Sequence, residues 1–289
     1  MDQKPAPKRR KRTFALIIPR FEDIFHSYYA GEIIKGVGYA ASRLQVDILM
    51  HITDRFDHHD WLESPMLDLD YIDGLIFADI NNDINMLRRV VHKGIPYIVL
   101  NNHFEEPINC ISIDNKQAAF DVVEYLIKRG HKRIATIAGD LSTQAGKFRL
   151  EGYKEALHHN NVPLIEEYLT TGDFLRTPAR KSAERLIQLK NRPTAIFAAS
   201  DVMAMELIHE ANARGVKIPD DISVVGFDDN PLNSYCSVKL TTVGQPLSEM
   251  ARMGIEHLNQ IINRTAKIPV KILLKTNFVE RDSVKDISV

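Results

Sequence analysis

Along this chain, short runs of consecutive apolar residues alternate with longer stretches of helical period. Phe14–Ile18, Val46–Met50, Gly74–Phe77, Tyr97–Leu100, Arg133–Ala138, Ala195–Ala198 and Ile222–Phe227 read as strands. They are continuously apolar rather than alternating, the pattern of parallel strands buried on both faces. Between them, Ala119, Val122, Val123, Leu126 and Ile127 form one helical stripe, closed at Arg129-Gly130 by a glycine suited to a left-handed C′ position. Ser200 is placed to cap a helix carrying Met203, Ala204, Leu207, Ile208 and Ala211, which Gly215 ends. Ser248 precedes a further stripe through Met250, Met253, Gly254, His257, Leu258, Ile261 and Ile262.

Such repetition implies right-handed βαβ crossovers and open parallel sheets, an α/β fold. Two blocks fit, about 13–129 and 130–243, and the last helix and strand return to complete the two sheets. The expected division is a basic tail at 1–12, a first lobe of 13–129 with 245–268, a second lobe of 130–244 with 269–284, and a short tail at 285–289.

Several motifs point to chemistry and fail on spacing. Gly36-Val37-Gly38-Tyr39-Ala40-Ala41 matches a dinucleotide fingerprint, but it lies inside a helical stretch instead of at the turn after a strand; close helix–sheet packing is expected there. Gly139 and Gly146-Lys147 resemble a phosphate loop, but six residues separate the glycines and Phe148 stands where magnesium needs a hydroxyl. Asp54, Asp57, His58, His59 and Asp60 cluster potential metal ligands without a usable spacing, and the reading is a solvated loop. His158-His159 reads as a helix end. No nucleophile elbow is present, and Cys110 and Cys236 form no CxxC pair. The expectation is no catalytic residue, no metal and no cofactor.

Charge adds one feature. Lysine and arginine number 37 and aspartate and glutamate 38, a net of −1. Residues 1–12 alone carry six bases against one acid, so the rest of the chain is mildly acidic. A balanced total opposes nucleic-acid coating by the whole surface. No apolar run reaches the ~18–20 residues of a membrane span, and the run after the basic start is too short for a secretory signal. A cytoplasmic protein without membrane contact is expected.

Open parallel sheets bind ligands at the carboxyl ends of their strands, so the residues after each strand are the candidate site. These are Tyr28 and Tyr29 after the first, Asp79 after the third, and Asp140, Thr143 and Arg149 after the strand ending at Ala138. Phe197, Ser200 and Asp201 follow next, then Asp228 and Asp229, then Gln245. Aromatic faces stack on sugars or bases, and carboxylates with arginine fix hydroxyl groups.

At Ile218-Pro219-Asp220-Asp221-Ile222-Ser223-Val224-Val225-Gly226-Phe227-Asp228-Asp229, followed by Leu240-Thr241-Thr242-Val243-Gly244-Gln245-Pro246, the chain resembles the sensor region of the LacI/GalR family. Gly130-His131-Lys132-Arg133-Ile134, Arg149-Leu150-Glu151-Gly152-Tyr153, Ser200-Asp201-Val202-Met203-Ala204 and Arg281-Asp282-Ser283 agree in order. The resemblance spans about residues 13–283. It implies a periplasmic-binding-protein-like fold of type I: two Rossmann-like lobes, three crossovers, and a homodimer. It also implies a ligand set of Tyr28, Tyr29, Thr143, Ala145, Arg149, Phe197, Asp228 and Gln245, to which the reading of strand ends adds Asp79, Ser200 and Asp201.

The function so implied is the effector-sensing core of a transcriptional regulator, binding a sugar or sugar derivative between the lobes. The alternative is a sugar solute-binding protein of a transport system, and an enzyme is not expected. Twelve residues before Thr13 are too few for a helix-turn-helix, so DNA is expected to be met only through a domain outside this chain.

Overall fold

The structure is a computed structural model that describes residues 11–19, 27–53, 72–80 and 84–288. It divides into two compact units, residues 1–111 with 247–272 and residues 112–246 with 273–289, so the chain passes from one to the other three times.

The first unit is built on a sheet of β1 (Thr13–Pro19), β2 (Asp47–Thr53), β3 (Gly74–Ala78), β4 (Tyr97–Leu100), β5 (Cys110–Ile113) and β11 (Lys271–Leu274), in the order β11-β5-β4-β3-β1-β2. β1 runs parallel to both its neighbours, with Phe14 opposite Ile48 on β2 and Gly74 on β3. The strands at the centre are apolar because both faces are covered: Leu16, Ile76 and Ile98 are buried. Helices α1 (Tyr28–Leu44), α2 (Ile84–His92) and α7 (Leu247–Ile262) complete the unit. Ser27 caps α1, its hydroxyl accepting the Ala30 N–H at 3.3 Å.

Gly36 does serve close packing, but its neighbour is a helix and not the sheet. A Cβ built there would lie 2.1 Å from the Ser248 carbonyl oxygen and 2.8 Å from the Ala251 Cβ. Only glycine lets α1 lie this close to α7. α7 in turn presses on the sheet, where a Cβ on Gly254 would come within 2.7 Å of the Leu100 side chain.

The second unit carries β6 (Ile134–Ala138), β7 (Leu169–Thr171), β8 (Ala195–Ala198) and β9 (Ser223–Val225), all parallel, in the order β7-β6-β8-β9. Helices α3 (Asn115–Lys128), α4 (Gln144–His159), α5 (Arg176–Gln188) and α6 (Asp201–Ala213) surround it. Strands β10 (Thr242–Gly244) and β12 (Asn277–Val279) pair antiparallel beside it. The core gathers Ile137, Tyr168, Leu186, Ile196, Met203, Leu207 and Val224. The chain's last stretch is stitched to this unit by Ser283, whose hydroxyl donates to the Val224 carbonyl at 2.6 Å and accepts the Thr241 N–H at 2.8 Å.

Helix ends follow local chemistry. Asp114 and Ser200 cap α3 and α6, and Gly130 and Gly215 take positive φ of 87° and 70° just beyond those helices.

The division differs from the expected one by two residues at the 244–245 crossover, more at the other two, and at the end, where Lys285 and Ile287 bond to Ser223 and Arg129 of the second unit instead of forming a separate tail. The chain leaves the first unit after β5, near residue 111, and not near 129, so α3 belongs to the second unit. There it packs on α4, where a Cβ on Gly152 would lie 2.2 Å from the Lys116 carbonyl oxygen. β11 joins the first sheet, so the return of the chain completes that sheet through residue 272 instead of ending at 268.

Candidate functional site

In the second unit the chain runs from β6 through α4 to β7 on one side, then resumes at β8 on the other. Between β6 and β8 the winding reverses, the point at which open α/β sheets place ligands. The loops leaving β6, β7, β8 and β9 all emerge at this edge.

Arg149, in the second turn of α4, lies there with only 3% of its side chain exposed. Its Nε donates to Asn115 Oδ1 at 2.8 Å, and one terminal nitrogen donates to the Ala199 carbonyl at 2.7 Å, just past the end of β8. The guanidinium stacks on the Phe227 ring with its central carbon 3.6 Å from the ring centroid, a cation–π contact strengthened by burial. The same terminal nitrogen is 3.9 Å from Asp228 Oδ1.

α4 is aimed by its start. Asp140 Oδ1 accepts from the backbone N–H and hydroxyl of Ser142, which folds the loop after β6. Thr143 caps the helix, donating to the Asp140 carbonyl at 2.7 Å and accepting the Gly146 N–H at 3.0 Å. Gly146 is required because a Cβ there would sit 2.0 Å from that same carbonyl oxygen.

Asp228 follows β9 with φ of 130° and Asp229 with φ of 56°. The first value is one that side-chain-bearing residues rarely adopt, and such strain persists only where surroundings enforce it. The Asp228 N–H donates to the Val243 carbonyl at 2.7 Å, and Gln245 Nε2 donates to Asp228 Oδ1 at 2.5 Å. Gln245 Oε1 is buried without a hydrogen-bond partner among the described residues. Burial pushes the Asp228 carboxyl up to about 7, against the opposing pull of Arg149. Asp229 turns the other way and pairs with Arg281 at 2.6 Å.

Asp201 was expected to touch ligand, but the structure gives its carboxylate other work. It is fully buried. Oδ1 accepts the Thr242 hydroxyl at 2.6 Å, and Oδ2 accepts the Asn230 N–H at 2.7 Å and Asn233 Nδ2 at 2.6 Å. Burial raises its carboxyl above the ordinary range while these donors pull it back. Phe197, also expected at the ligand, is wholly buried in β8 opposite Thr136, with no surface to offer. Ser200 is buried and spends its oxygen on the Met203 N–H. Thr143 uses its hydroxyl in both directions within its own loop, and Ala145 is buried in the first turn of α4.

Arg149, Asp228 and Gln245 are thus brought together. Phe174, which the sequence reading missed, stands beside them. It follows β7 with φ of 59°, its ring 5.8 Å from the Arg149 guanidinium carbon. The ring lies over Gly139, where a Cβ would come within 2.0 Å of it. The sequence signal was Gly172-Asp173-Phe174, a turn with an aromatic, but the three-residue strand before it was too short to be recognised.

In the first unit, Tyr28 and Tyr29 open α1 and are half-buried. Asp79 leaves β3 with φ of 75° and is buried, its N–H donating to the Leu100 carbonyl. Asn101 beside it at the end of β4 has φ of 64°, and Asn102 accepts the Ile80 N–H at 3.1 Å.

No group of three or more His, Cys, Asp or Glu positioned for a metal occurs among the described residues. The Asp54–Asp60 cluster and the basic residues 1–10 lie outside them. Cys110 is buried and Cys236 half-buried, and both are free thiols. No described helix is long and apolar enough to cross a membrane.

Comparison with known proteins places this geometry in context. A family described as a periplasmic binding protein-like domain matches residues 123–284. The probable HTH-type transcriptional repressor ExuR of Bacillus subtilis is 34% identical over 264 residues, covering 90% of this chain and 77% of that protein. The HTH-type transcriptional repressor CytR of Escherichia coli K12 is 33% identical over 252 residues, covering 85% and 71%. Among solved structures, a complex of the transcriptional regulator CelR with cellobiose superposes with a TM-score of 0.87 at 29% identity, covering 96% of this chain and 86% of that one. A Bacillus cereus LacI-type regulator shares the fold with a TM-score of 0.90 at 23% identity, covering 96% and 100%.

Proposed function

The chain belongs to the LacI/GalR family of transcriptional regulators, as its effector-binding portion, and from that premise we propose that it senses a sugar or sugar derivative through Arg149, Asp228, Gln245 and Phe174. ExuR and CytR, the relatives compared above, are named as transcriptional repressors, which supports a regulator over a transport protein, and no chemical step is assigned to the site.

The observation that carries the reading is the buried Arg149 facing Asp228 at 3.9 Å at the carboxyl edge of the second unit's sheet. An arginine donor and a carboxylate acceptor this close match neighbouring hydroxyls on a sugar ring, one accepting and the next donating. Phe174 supplies an aromatic face and Gln245 an acceptor with no protein donor. Tyr28, Tyr29 and Asp79 in the first unit are proposed as further contacts. CelR, whose solved complex holds cellobiose, supports a carbohydrate over other effectors.

The effector acts by biasing an equilibrium between DNA-competent and incompetent states, which requires that it bind one state more tightly than the other. The proposed assembly is a cytoplasmic homodimer, and the names of its relatives, HTH-type repressors, support contact with DNA through a helix-turn-helix.

The test is a thermal-shift screen of this chain against pentoses, hexoses, disaccharides, uronic acids, sugar phosphates and nucleosides. A compound at a hundred times its dissociation constant adds about 2.7 kcal/mol of stability. A shift that Asp228→Asn reduces by about half or more supports the reading, and the absence of any shift across the panel contradicts it.

A further inference from the structure

We infer that Asp201 is the positioning residue for Asp228: it makes no contact with effector, and it holds the strained loop that aims the Asp228 carboxylate at Arg149. The inference rests on the proposed reading of Asp228 as an effector contact.

The loop after β9 must do something unfavourable. Two successive residues, Asp228 and Asp229, take positive φ, and the first, at 130°, lies where Cβ-bearing residues are scarcely found. Left alone, such a loop relaxes and the Asp228 carboxyl swings away. What encloses it is Asp201, at the first position of α6. Its backbone N–H donates to the Phe227 carbonyl at 2.7 Å, immediately before the strained pair. Its Oδ2 accepts from the Asn230 N–H, immediately after the pair, and from the Asn233 side chain that closes the following turn. Its Oδ1 takes the hydroxyl of Thr242 on β10, the strand whose Val243 carbonyl receives the Asp228 N–H.

One residue therefore grips the loop on both sides of the strain and ties it to the strand beside it. Gly226 belongs to the same device, because a Cβ there would lie 2.1 Å from Asp201 Oδ1. A carboxylate with three close donors and no exposed surface presents no atom that a ligand can reach. It has instead the number and spread of acceptors needed to enforce a backbone conformation.

Asparagine at position 201 can keep this arrangement. Its oxygen accepts from Asn230 and Asn233 while its amide donates to the Thr242 hydroxyl, which serves either way. Alanine cannot. The experiment compares Asp201→Asn and Asp201→Ala in the full chain, with two readouts.

The first needs no effector: amide hydrogen exchange in the segment 226–235, by mass spectrometry. The expected result is faster exchange confined to that segment in Asp201→Ala and near-parental exchange in Asp201→Asn. Unchanged exchange in the alanine variant overturns the inference. The second is affinity for cellobiose, D-galacturonate and cytidine, each measured by titration calorimetry in both variants and in the Asp228→Ala background. Asp201→Ala should weaken whichever of these binds by about tenfold or more in the parent and have almost no further effect once Asp228 is alanine, the signature of coupling in a double-mutant cycle. Equal losses in both backgrounds, or a large loss in Asp201→Asn, would mean that Asp201 acts directly. If none of the three compounds binds the parent, the exchange result still decides the role of Asp201, and the failure counts against the sugar-sensing reading alone. Should Asp201→Ala not be recovered folded, Asn233→Ala removes one of the same bonds and carries the same expectation for exchange.

Discussion

Arg149 is held by a carbonyl, an amide oxygen and an aromatic face before any ligand arrives. Truncation to alanine strips partners from Asn115, Ala199 and Asp228 together. It should lower stability by about 3–5 kcal/mol, the range for breaking a buried pair, as well as affinity. Arg149→Lys is the better probe: it keeps the charge but loses the planar fork, and it should weaken effector binding with a smaller loss of stability, checked by calorimetry and denaturant unfolding. Asp228 gives a pH signature with a definite sign. Its carboxyl is held at about 7 against an ordinary 3.8, so the folded chain keeps a proton that the unfolded chain has released. That contribution to stability is full below pH ~4, is lost as pH rises toward ~7, and changes no further above it. Urea unfolding of the parent and Asp228→Asn across this window should show the difference shrinking in that direction. Affinity of an effector hydroxyl for the ionised carboxylate should fall as pH drops below ~7, by up to about tenfold per unit.

Which of these residues meet was partly legible from the chain. Arg149, Asp228 and Gln245 each follow a recognisable strand, so the strand-end rule found them. Phe174 escaped because β7 is Leu-Thr-Thr, without an apolar run. Asp201 at a helix start looks available in the sequence, and only the loop that wraps it shows its carboxylate buried against Thr242, Asn230 and Asn233.

At the scale of elements, β4 and β8 declared themselves because they carry only apolar residues and are buried throughout, whereas β2, read from Val46–Met50 as buried on both faces, is an edge strand with Met50 and Ile52 exposed. β5 did not declare itself, because Cys-Ile-Ser-Ile carries a serine and is flanked by Asn109 and Asp114. Missing it moved the first crossover by a whole helix and put α3 in the wrong unit. Gly36 was rightly read as a packing glycine, but periodicity cannot say what packs against it. Its role makes a prediction: Gly36→Ala forces α1 away from α7 and should cost about 1–3 kcal/mol, the range for overpacking, with a fall in melting temperature and no direct effect on the Arg149–Asp228 pair. Thr143→Ala removes the cap of α4 and should cost about 1 kcal/mol. Because α4 carries Arg149, this variant should also weaken effector binding modestly, a combination that Gly36→Ala should not share.

For the whole molecule, two units of parallel sheet joined by three passages of the chain were expected and are found, since α/β repetition leaves few other arrangements. Effector identity was not legible, because it depends on how a few side chains at the strand ends are turned, and positive φ at Asp79, Phe174 and Asp228 is invisible in the sequence. The central claim is that this chain is a sugar-sensing core whose effector is gripped by Arg149 and Asp228. The most direct test is titration calorimetry of the parent and Asp228→Asn with the compound that most stabilises the parent in the carbohydrate and nucleoside screen. The account predicts saturable one-site binding by the parent and a loss of about tenfold or more in the variant, as for a charged hydrogen-bonding group left without its partner. Equal binding by both proteins would contradict it.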